Sequence, residues 1–526
     1  MRSLMKTAPR LLLIALLLAL LPPLALPARG EVNARELEYA YLEPTAAYLV
    51  TGEEVSLLVM VPDTAGLTFE FTLYYNPDRT QTQTYKGIDQ QKESGSASFS
   101  FTPKETGQYL VEAVIYDAAF RSLKLQSEPL YCYAPEALED ESALPGKVKA
   151  IAREANAQNL AGDYETALWL HDWLTGNADY DEPMTIHTPE GVLLQGAGVC
   201  ESYALAYRIL LHEVGIDNVY VTGYSRGESH AWNLVKLGED WVWVDPTWND
   251  PVGGEEGYDY FGMNDALLGR DHDWSVSINR PPRAQSLDYN YLLREGSRPF
   301  VDEAGLDALL RSALGKQETT IEYTYHGDDR FFNVSDSVGA WLKKNSRLYF
   351  VSGYEYGGSR YAGTLSLDYQ DMSGYTFFTD EASFTARMEE LLPAKPALVK
   401  MAYTGEDPFF DFGRFVSGWL TKHHRGHFIS DYSYSYLPYS GEITLAYKDV
   451  TGYQIFHNPE ELDALLAQAL VGKPARLLLY YSGSDEFFKL NRLLDDWFME
   501  QKDALSAYSG SYSAVEAELD LTWRAP

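Results

Sequence analysis

The chain has 526 residues, which is too long for a single hydrophobic core and indicates several domains. Apolar residues make up 45% of the chain and charged residues 22%, a composition that excludes a largely disordered protein. The formal net charge of -34 opposes binding to a phosphate backbone or an anionic lipid surface, so no nucleic acid partner is expected.

The first 28 residues have the pattern of a secretory signal peptide. Three cations precede an apolar run from Leu11 to Leu21, and Pro22, Pro23 and small residues follow it. This run is shorter than the ~20 residues that cross a bilayer, and no later stretch is apolar enough to do so. We therefore expect residues 1–28 to be removed, leaving a secreted or cell-surface protein without a transmembrane segment.

Residues 31–135 read as short strands separated by turns. Alternating apolar residues occupy 54–61, 69–75, 96–101 and 109–117. Gly107 precedes Tyr109 at the start of the last of these strands, which resembles the late hairpin of immunoglobulin-like domains. The pattern predicts an N-terminal immunoglobulin-like β-sandwich.

Residues 136–290 change to a helical period and then return to strands. Apolar residues recur three and four positions apart in 148–160, 164–174 and 201–214. Short strands are predicted over 218–224, 231–237 and 241–244. Helices followed by strands predict a central α+β domain, whose antiparallel sheet packs against the helix that begins near Cys200.

The last part of the chain contains three copies of one unit at a constant offset of 78 residues. Each copy has the pattern Tyr-x-Gly-x-Asp-x-Phe-Phe, beginning at Tyr325, Tyr403 and Tyr481. The order helix, strand, helix and hairpin within each copy predicts three tandem αβαββ repeats. The predicted repeats cover residues 298–374, 375–452 and 453–526.

Three segments of the central domain carry residues suited to thiol chemistry. Gly196 and Gly198 permit a tight turn into a helix that begins beside Cys200, at the positive end of the helix dipole. A thiol in that position ionises readily and becomes a nucleophile. His230 opens one strand and Asp245 ends the next, so the imidazole would transfer the thiol proton while the carboxylate fixes its tautomer.

The stretch from 148 to 274 resembles the transglutaminase-like superfamily, which has a papain-like core with Cys, His and Asp in this order. The resemblance rests on Gly-x-Cys-x-x-Tyr-Ala at Cys200, His-Ala-Trp-Asn at His230 and Asp-Pro-Thr-Trp at Asp245. It is similar to bacterial exported members and to those related to kyphoscoliosis peptidase. The resemblance implies that Cys200 is the nucleophile, His230 the general base and acid, and Asp245 the orienting carboxylate. It implies no metal or other cofactor, because the calcium-binding flanks of animal crosslinking enzymes have no counterpart.

Two further residues leave alternatives open. Gln195 is a candidate to lend its amide to an oxyanion hole beside the backbone amide of Cys200; the alternative is a solvated loop residue. Cys132 is the second cysteine of the sequence, so a disulfide between Cys132 and Cys200 is the alternative to a free nucleophile.

The sequence thus predicts an exported thiol enzyme acting on amide bonds through a covalent acyl-enzyme on Cys200. Its expected partner is an extracellular or cell-envelope protein or peptide. Transfer of the acyl group to an amine and its transfer to water, in proteolysis or deamidation, are both open. The alternative is a catalytically silent surface scaffold that binds through the repeats and the immunoglobulin-like domain.

Overall fold

The computed structural model describes residues 32–75, 91–254, 256–407 and 409–525, so the predicted signal peptide lies outside the described residues. The chain divides into two compact units. The first unit ends its main segment at Asp302 and also includes 322–334 and 358–363; the second comprises 303–321, 335–357 and the chain from Thr364 onward. Across the described ranges, every helix is too short or too polar to span a bilayer.

A β-sandwich opens the first unit. One sheet has the strand order β1-β3-β6-β5, and the other has β2-β9-β7-β4 with β8 paired to β7. Alternate residues of these strands point inward, as in β3, where Val55, Leu57 and Val59 are buried. The bounds are β1 Tyr41–Pro44, β2 Leu49–Val50, β3 Val55–Met60, β4 Thr68–Tyr75, β5 Gln91–Glu93, β6 Ser96–Phe101, β7 Gly107–Tyr116, β8 Ser122–Gln126 and β9 Leu130–Tyr133. The immunoglobulin-like relationship of this sandwich stays a prediction.

The central α+β domain follows, with an antiparallel sheet in the order β15-β14-β13-β12-β16. Helix α3 packs against this sheet and is buried along most of its length. The helices are α1 Leu144–Ala157, α2 Asp163–Thr175, α3 Cys200–Glu213, α4 Asp265–Leu268 and α5 Tyr291–Arg294. The strands are β10 Asp179–Tyr180, β11 Ala197–Gly198, β12 Asn218–Ser225, β13 Glu228–Leu237, β14 Asp240–Val244, β15 Phe261–Met263 and β16 His272–Asp273.

The sheet is wider than the three strands that the sequence predicts. Strands β15 and β16 add one strand at each edge. Each has two or three residues, which is too short to show the alternation that identifies a strand in a sequence.

The repeats differ from the predicted αβαββ order in one respect. A short strand precedes the first helix, and in the second and third repeats it pairs in parallel with the central strand. The sheet orders there are β21-β22-β24-β23 and β25-β26-β28-β27. The elements are β17 Arg298–Phe300, α6 Glu303–Gly315, β18 Thr320–Tyr325, α7 Val334–Asn345, β19 Val351–Gly358, β20 Ala362–Tyr369, β21 Thr376–Phe378, α8 Glu381–Leu391, β22 Leu398–Tyr403, α9 Phe412–His423, β23 Ile429–Leu437, β24 Ser440–Tyr447, β25 Gln454–Phe456, α10 Pro459–Gly472, β26 Arg476–Tyr481, α11 Leu490–Glu500, β27 Leu505–Tyr512 and β28 Glu516–Trp523.

The recurring Tyr-x-Gly-x-Asp-x-Phe-Phe pattern forms a closed turn. In the second repeat the ring of Tyr403 stacks on Phe410 at 3.8 Å, and its hydroxyl accepts a hydrogen bond from the amide of Asp407. The Asp407 carboxylate accepts from the amide of Phe409. A Cβ on Gly405 would lie 2.2 Å from a backbone oxygen, so the turn requires glycine there.

Candidate active site

Local backbone geometry places Cys200 at the first position of α3. Gly196 adopts the left-handed conformation, with φ of 72°. Gly198 then runs so close to α3 that a Cβ on it would lie 2.5 Å from the Cβ of Ser202. Val199 is the N-cap residue, so the thiol follows directly at the positive end of the helix dipole.

The sheet brings His230 and Asp245 together. His230 is the third residue of β13, and Asp245 directly follows β14, which pairs with β13. The Nε2 atom of His230 lies 2.6 Å from Oδ2 of Asp245, and Asp245 is fully buried. The backbone amide of Trp248 donates to the second carboxylate oxygen at 3.1 Å. These contacts fix the direction in which the carboxylate faces the imidazole.

Burial and charge oppose each other at this pair. Burial is the largest single effect and lowers the pKa of His230, but the charge and hydrogen bond of Asp245, together with the neighbouring Cys200, outweigh it and raise that pKa to about 10. Burial alone raises the pKa of Asp245, but the charge of His230 and the hydrogen bonds from His230 and His272 hold it well below its usual range. The pair therefore favours a protonated imidazole beside an ionised carboxylate at neutral pH.

The thiol of Cys200 completes the chain of contacts. Cys200 and His230 line the same two cavities, and the neighbouring Cys200 side chain contributes to the raised pKa of the imidazole. Because Nε2 is engaged by Asp245, Nδ1 is the ring nitrogen left for the thiol. The structure thus brings Cys200, His230 and Asp245 into one connected group, in the order that the sequence predicts.

Aromatic side chains hold the imidazole in place. The ring of Trp232 stacks on that of His230 at an interplanar angle of 24°, with 5.6 Å between ring centres, and Trp248 meets it edge-on at 6.1 Å. Trp232 is completely buried. This packing restricts rotation of the imidazole away from Asp245.

Two cavities meet at the thiol. They have volumes of about 750 and 250 Å³, and both are lined by Tyr180, Cys200, Glu228 and His230. Cys200 itself is partly exposed, so a substrate can reach its sulfur from either side.

His272, for which no role is predicted, also reaches Asp245. Its Nε2 atom lies 3.1 Å from Oδ2 of Asp245, and its Nδ1 atom lies 2.7 Å from Oδ1 of Asp271. The donor atoms of His230, Asp245 and His272 lie within 4.8 Å of one another, a set that could also hold a metal ion. Hydrogen bonding between each imidazole and the shared oxygen accounts for the same arrangement.

Gln195 is not brought into this group. It ends a short helical segment, Gly191–Gln195, and its side chain is exposed. Among the described residues that line the two cavities at Cys200, Gln195 is not included. Its position agrees with the alternative of a solvated residue.

The two cysteines are both free thiols. Cys132 is buried in the core of the sandwich, where burial raises its pKa to about 11. The structure therefore does not contain the alternative disulfide between Cys132 and Cys200, and the two thiols have very different surroundings.

A family model described as the transglutaminase-like superfamily matches residues 149–246, a range that contains Cys200, His230 and Asp245. The central domain belongs to the transglutaminase-like superfamily. Kyphoscoliosis peptidase of Homo sapiens is 24% identical to the chain over 270 residues, covering 43% of this chain and 39% of the relative. Its counterpart in Mus musculus is 25% identical over 295 residues, covering 48% and 43%. The chain thus spans about two fifths of the length of these curated relatives.

Two solved structures of transglutaminases are among the structural matches of the chain. A TGase is 13% identical, with a TM-score of 0.19, and the match covers 21% of this chain and 32% of that one. A red sea bream transglutaminase is 13% identical, with a TM-score of 0.16, covering 40% and 50%. TM-scores of this size establish no common overall fold, so membership of the transglutaminase-like domain rests on the family match.

Proposed function

We propose that the protein is an exported thiol enzyme that acts on amide bonds of extracellular or cell-envelope proteins through an acyl-enzyme on Cys200. The observation that supports this most directly is that Cys200 and His230 line the same two cavities, while His230 is hydrogen-bonded to the buried Asp245. Membership of the transglutaminase-like superfamily agrees with the same chemistry.

The reaction follows from the positions of the three groups. Transfer of the Cys200 proton to His230 gives a thiolate beside the protonated imidazole that this site favours, and the thiolate attacks the carbonyl carbon of the amide. The tetrahedral intermediate expels the amine, which receives the proton from His230, and a thioester remains on Cys200. Water or a second amine then attacks the thioester while His230 removes its proton, and the thiol is restored. Asp245 keeps the imidazole oriented throughout.

The lining of the two cavities suits a polypeptide substrate. Space extends on both sides of Cys200, as a chain passing across the nucleophile requires. Acidic residues at the lining include Glu201, Glu228 and Asp250, while none of the described residues that line these cavities is Lys or Arg. We expect neutral or basic segments to bind there more tightly than acidic ones.

Selective alkylation tests the nucleophile. Iodoacetamide at neutral pH should label Cys200 far faster than Cys132, because Cys132 is buried and its thiol stays protonated. Cys132→Ala serves as the matched control and should retain fast labelling, whereas Cys200→Ala should lose it. Equally slow labelling of both thiols would contradict the proposed enzyme.

A second measurement shows whether the acyl group passes to an amine or to water. Native extracellular protein would be incubated with a labelled primary amine, with wild-type protein or the Cys200→Ala variant. Incorporated label indicates acyl transfer, whereas released ammonia or new amino termini indicate hydrolysis. Absence of all three products that depend on Cys200 would contradict an amide-directed enzyme.

A binding role for the repeats is a second candidate. Each repeat exposes a phenylalanine at the same position of its closed turn: Phe331, Phe409 and Phe487 are 72%, 90% and 84% exposed. We propose that these three exposed rings, which occupy equivalent places in the repeats, contact a partner. The repeats would then hold the protein at its site of action, whether or not Cys200 is active.

A further inference from the structure

His272 lies between two carboxylates in the interior of the central domain. It sits in β16, which pairs with the edge of β12 so that His272 is opposite Ser225. Its side chain is completely buried. One ring nitrogen faces Asp245 at 3.1 Å, and the other faces Asp271 at 2.7 Å.

The carboxylate of Asp245 acts purely as an acceptor in this network. The backbone amide of Trp248 donates to its Oδ1 atom. Its Oδ2 atom is shared by Nε2 of His230 and Nε2 of His272. An ionised carboxylate has no proton to give, so Nε2 of His272 must carry the proton of its hydrogen bond.

The carboxylate of Asp271 is likewise held in its ionised form. The hydroxyl of Tyr260 donates to its Oδ2 atom at 2.7 Å, and the guanidinium of Arg226 lies 3.5 Å from the same atom. Nδ1 of His272 must therefore carry a proton as well. With both nitrogens protonated, His272 is an imidazolium ion between two carboxylates.

We propose that His272, supported by Asp271, is a positioning residue that keeps the Asp245 carboxylate ionised and directed at His230. This inference rests on the proposed function of the same site. The two imidazole rings are 5.6 Å apart, so the positive charge of His272 also opposes the positive charge of His230. That opposition makes it easier for His230 to give its proton to a leaving amine.

The groups that face His272 set the direction of the expected effect. They are the carboxylates of Asp245 and Asp271, the imidazole of His230 and the phenol of Tyr260, with Arg226 behind Asp271. Removing the charge of His272 leaves Asp245 to act on His230 alone. The pKa of His230 should then rise further, and the imidazolium should persist to higher pH.

The variants His272→Gln and Asp271→Asn test this directly. Glutamine keeps an N–H donor toward Asp245 without a charge, and asparagine removes the outer carboxylate. The rate of Cys200 alkylation by iodoacetate would be measured against pH, because this anionic reagent is attracted by the imidazolium of His230. The rate should decline at high pH, where His230 loses its proton. In both variants we expect this high-pH decline to move to higher pH by about half a unit or more. The double variant should move no further than the larger single change, because the two residues act through each other.

His171→Gln is the matched control. His171 is also fully buried, with Nδ1 3.0 Å from the carboxylate of Asp172 and Nε2 3.0 Å from the amide of Asn249. Its substitution removes a buried imidazole without touching Asp245, so the high-pH decline should stay in place. Thermal unfolding of every variant shows that each compared protein is folded.

Three results would overturn the inference. One is a pH profile of folded His272→Gln that superimposes on that of the wild type. Another is a pH shift in the double variant that equals the sum of the shifts in the two single variants. The third is protection of Cys200 by Zn²⁺ that His272→Gln abolishes, which would make the group a metal site.

The alkylation profile also separates this inference from the proposed function. It requires no substrate, so a shifted profile without amide chemistry would contradict the enzyme and leave the role of His272 intact. Where turnover is found, His272→Gln should lower kcat about tenfold with little change in KM, because the substitution disturbs orientation and not substrate binding.

Discussion

The imidazole of His230 shows how burial and charge combine at one residue. It is almost inaccessible to solvent, which disfavours its charged form, yet the carboxylate of Asp245 holds a proton on it. Because both side chains are buried away from solvent, the positive imidazolium and the negative carboxylate stabilise each other. A protonated imidazole in the interior is therefore a property of the folded chain alone.

This coupling makes stability depend on pH. The pKa of His230 is raised from an unfolded value near 6.5 to about 10, so its contribution is complete below about pH 6.5 and is lost as the pH rises through 10. We expect the free energy of unfolding to fall by up to about 5 kcal/mol across this range. Denaturant unfolding at pH 6, 8 and 10 measures it. His230→Gln should flatten the decline, and an equal decline in that variant would contradict this origin.

At the scale of elements, the approach of β11 to α3 decides where the thiol lies. Gly198 pairs with Tyr180 on one side and contacts Ser202 of α3 on the other. The close contact draws the start of α3 toward the cleft. Glycine at this position is thus a packing requirement, in addition to the turn at Gly196.

A single methyl group tests this packing. Gly198→Ala would place a Cβ 2.5 Å from Ser202 and 2.8 Å from Val192, so strand and helix must separate. We expect a loss of stability of about 1–3 kcal/mol and slower alkylation of Cys200. Gly257→Ala is the control, because nothing lies within 4 Å of its Cβ position. Thermal unfolding and alkylation rates would be compared, and equal behaviour of the two variants would refute the packing argument.

At the scale of the whole first unit, a buried ion cluster connects the sandwich to the helix that carries Cys200. Arg208 of α3 is 2% exposed; its guanidinium contacts the carboxylate of Glu128 and lies 3.7 Å from that of Glu43. Burial raises the pKa of Glu43 to about 8, although the charge of Arg208 opposes this rise. The sandwich is therefore bound to the helix that carries Cys200 chiefly by the buried ion pair between Arg208 and Glu128.

Removing one charge of this cluster should lower the free energy of unfolding more than removing both charges. Arg208→Met leaves the buried carboxylate of Glu128 without its partner, and we expect a loss of about 3–5 kcal/mol in the free energy of unfolding. Adding Glu128→Gln removes the unpaired charge and should restore part of that loss. Denaturant unfolding of the single and double variants gives the comparison; equal stabilities would show that the cluster carries no buried charge.

Three features could be predicted from the sequence, because each depends on the spacing of residues along the chain. They are the order Cys200, His230 and Asp245, the helix that begins at the thiol, and the 78-residue repeat. The short strands β15 and β16 and the first strand of each repeat could not be predicted, since two or three residues carry no period. Tertiary structure alone decided that Gln195 faces solvent, that Cys132 is buried as a free thiol and that His272 reaches Asp245. Those outcomes depend on contacts between residues distant in the chain and on the burial of charge, which no local pattern of residues encodes.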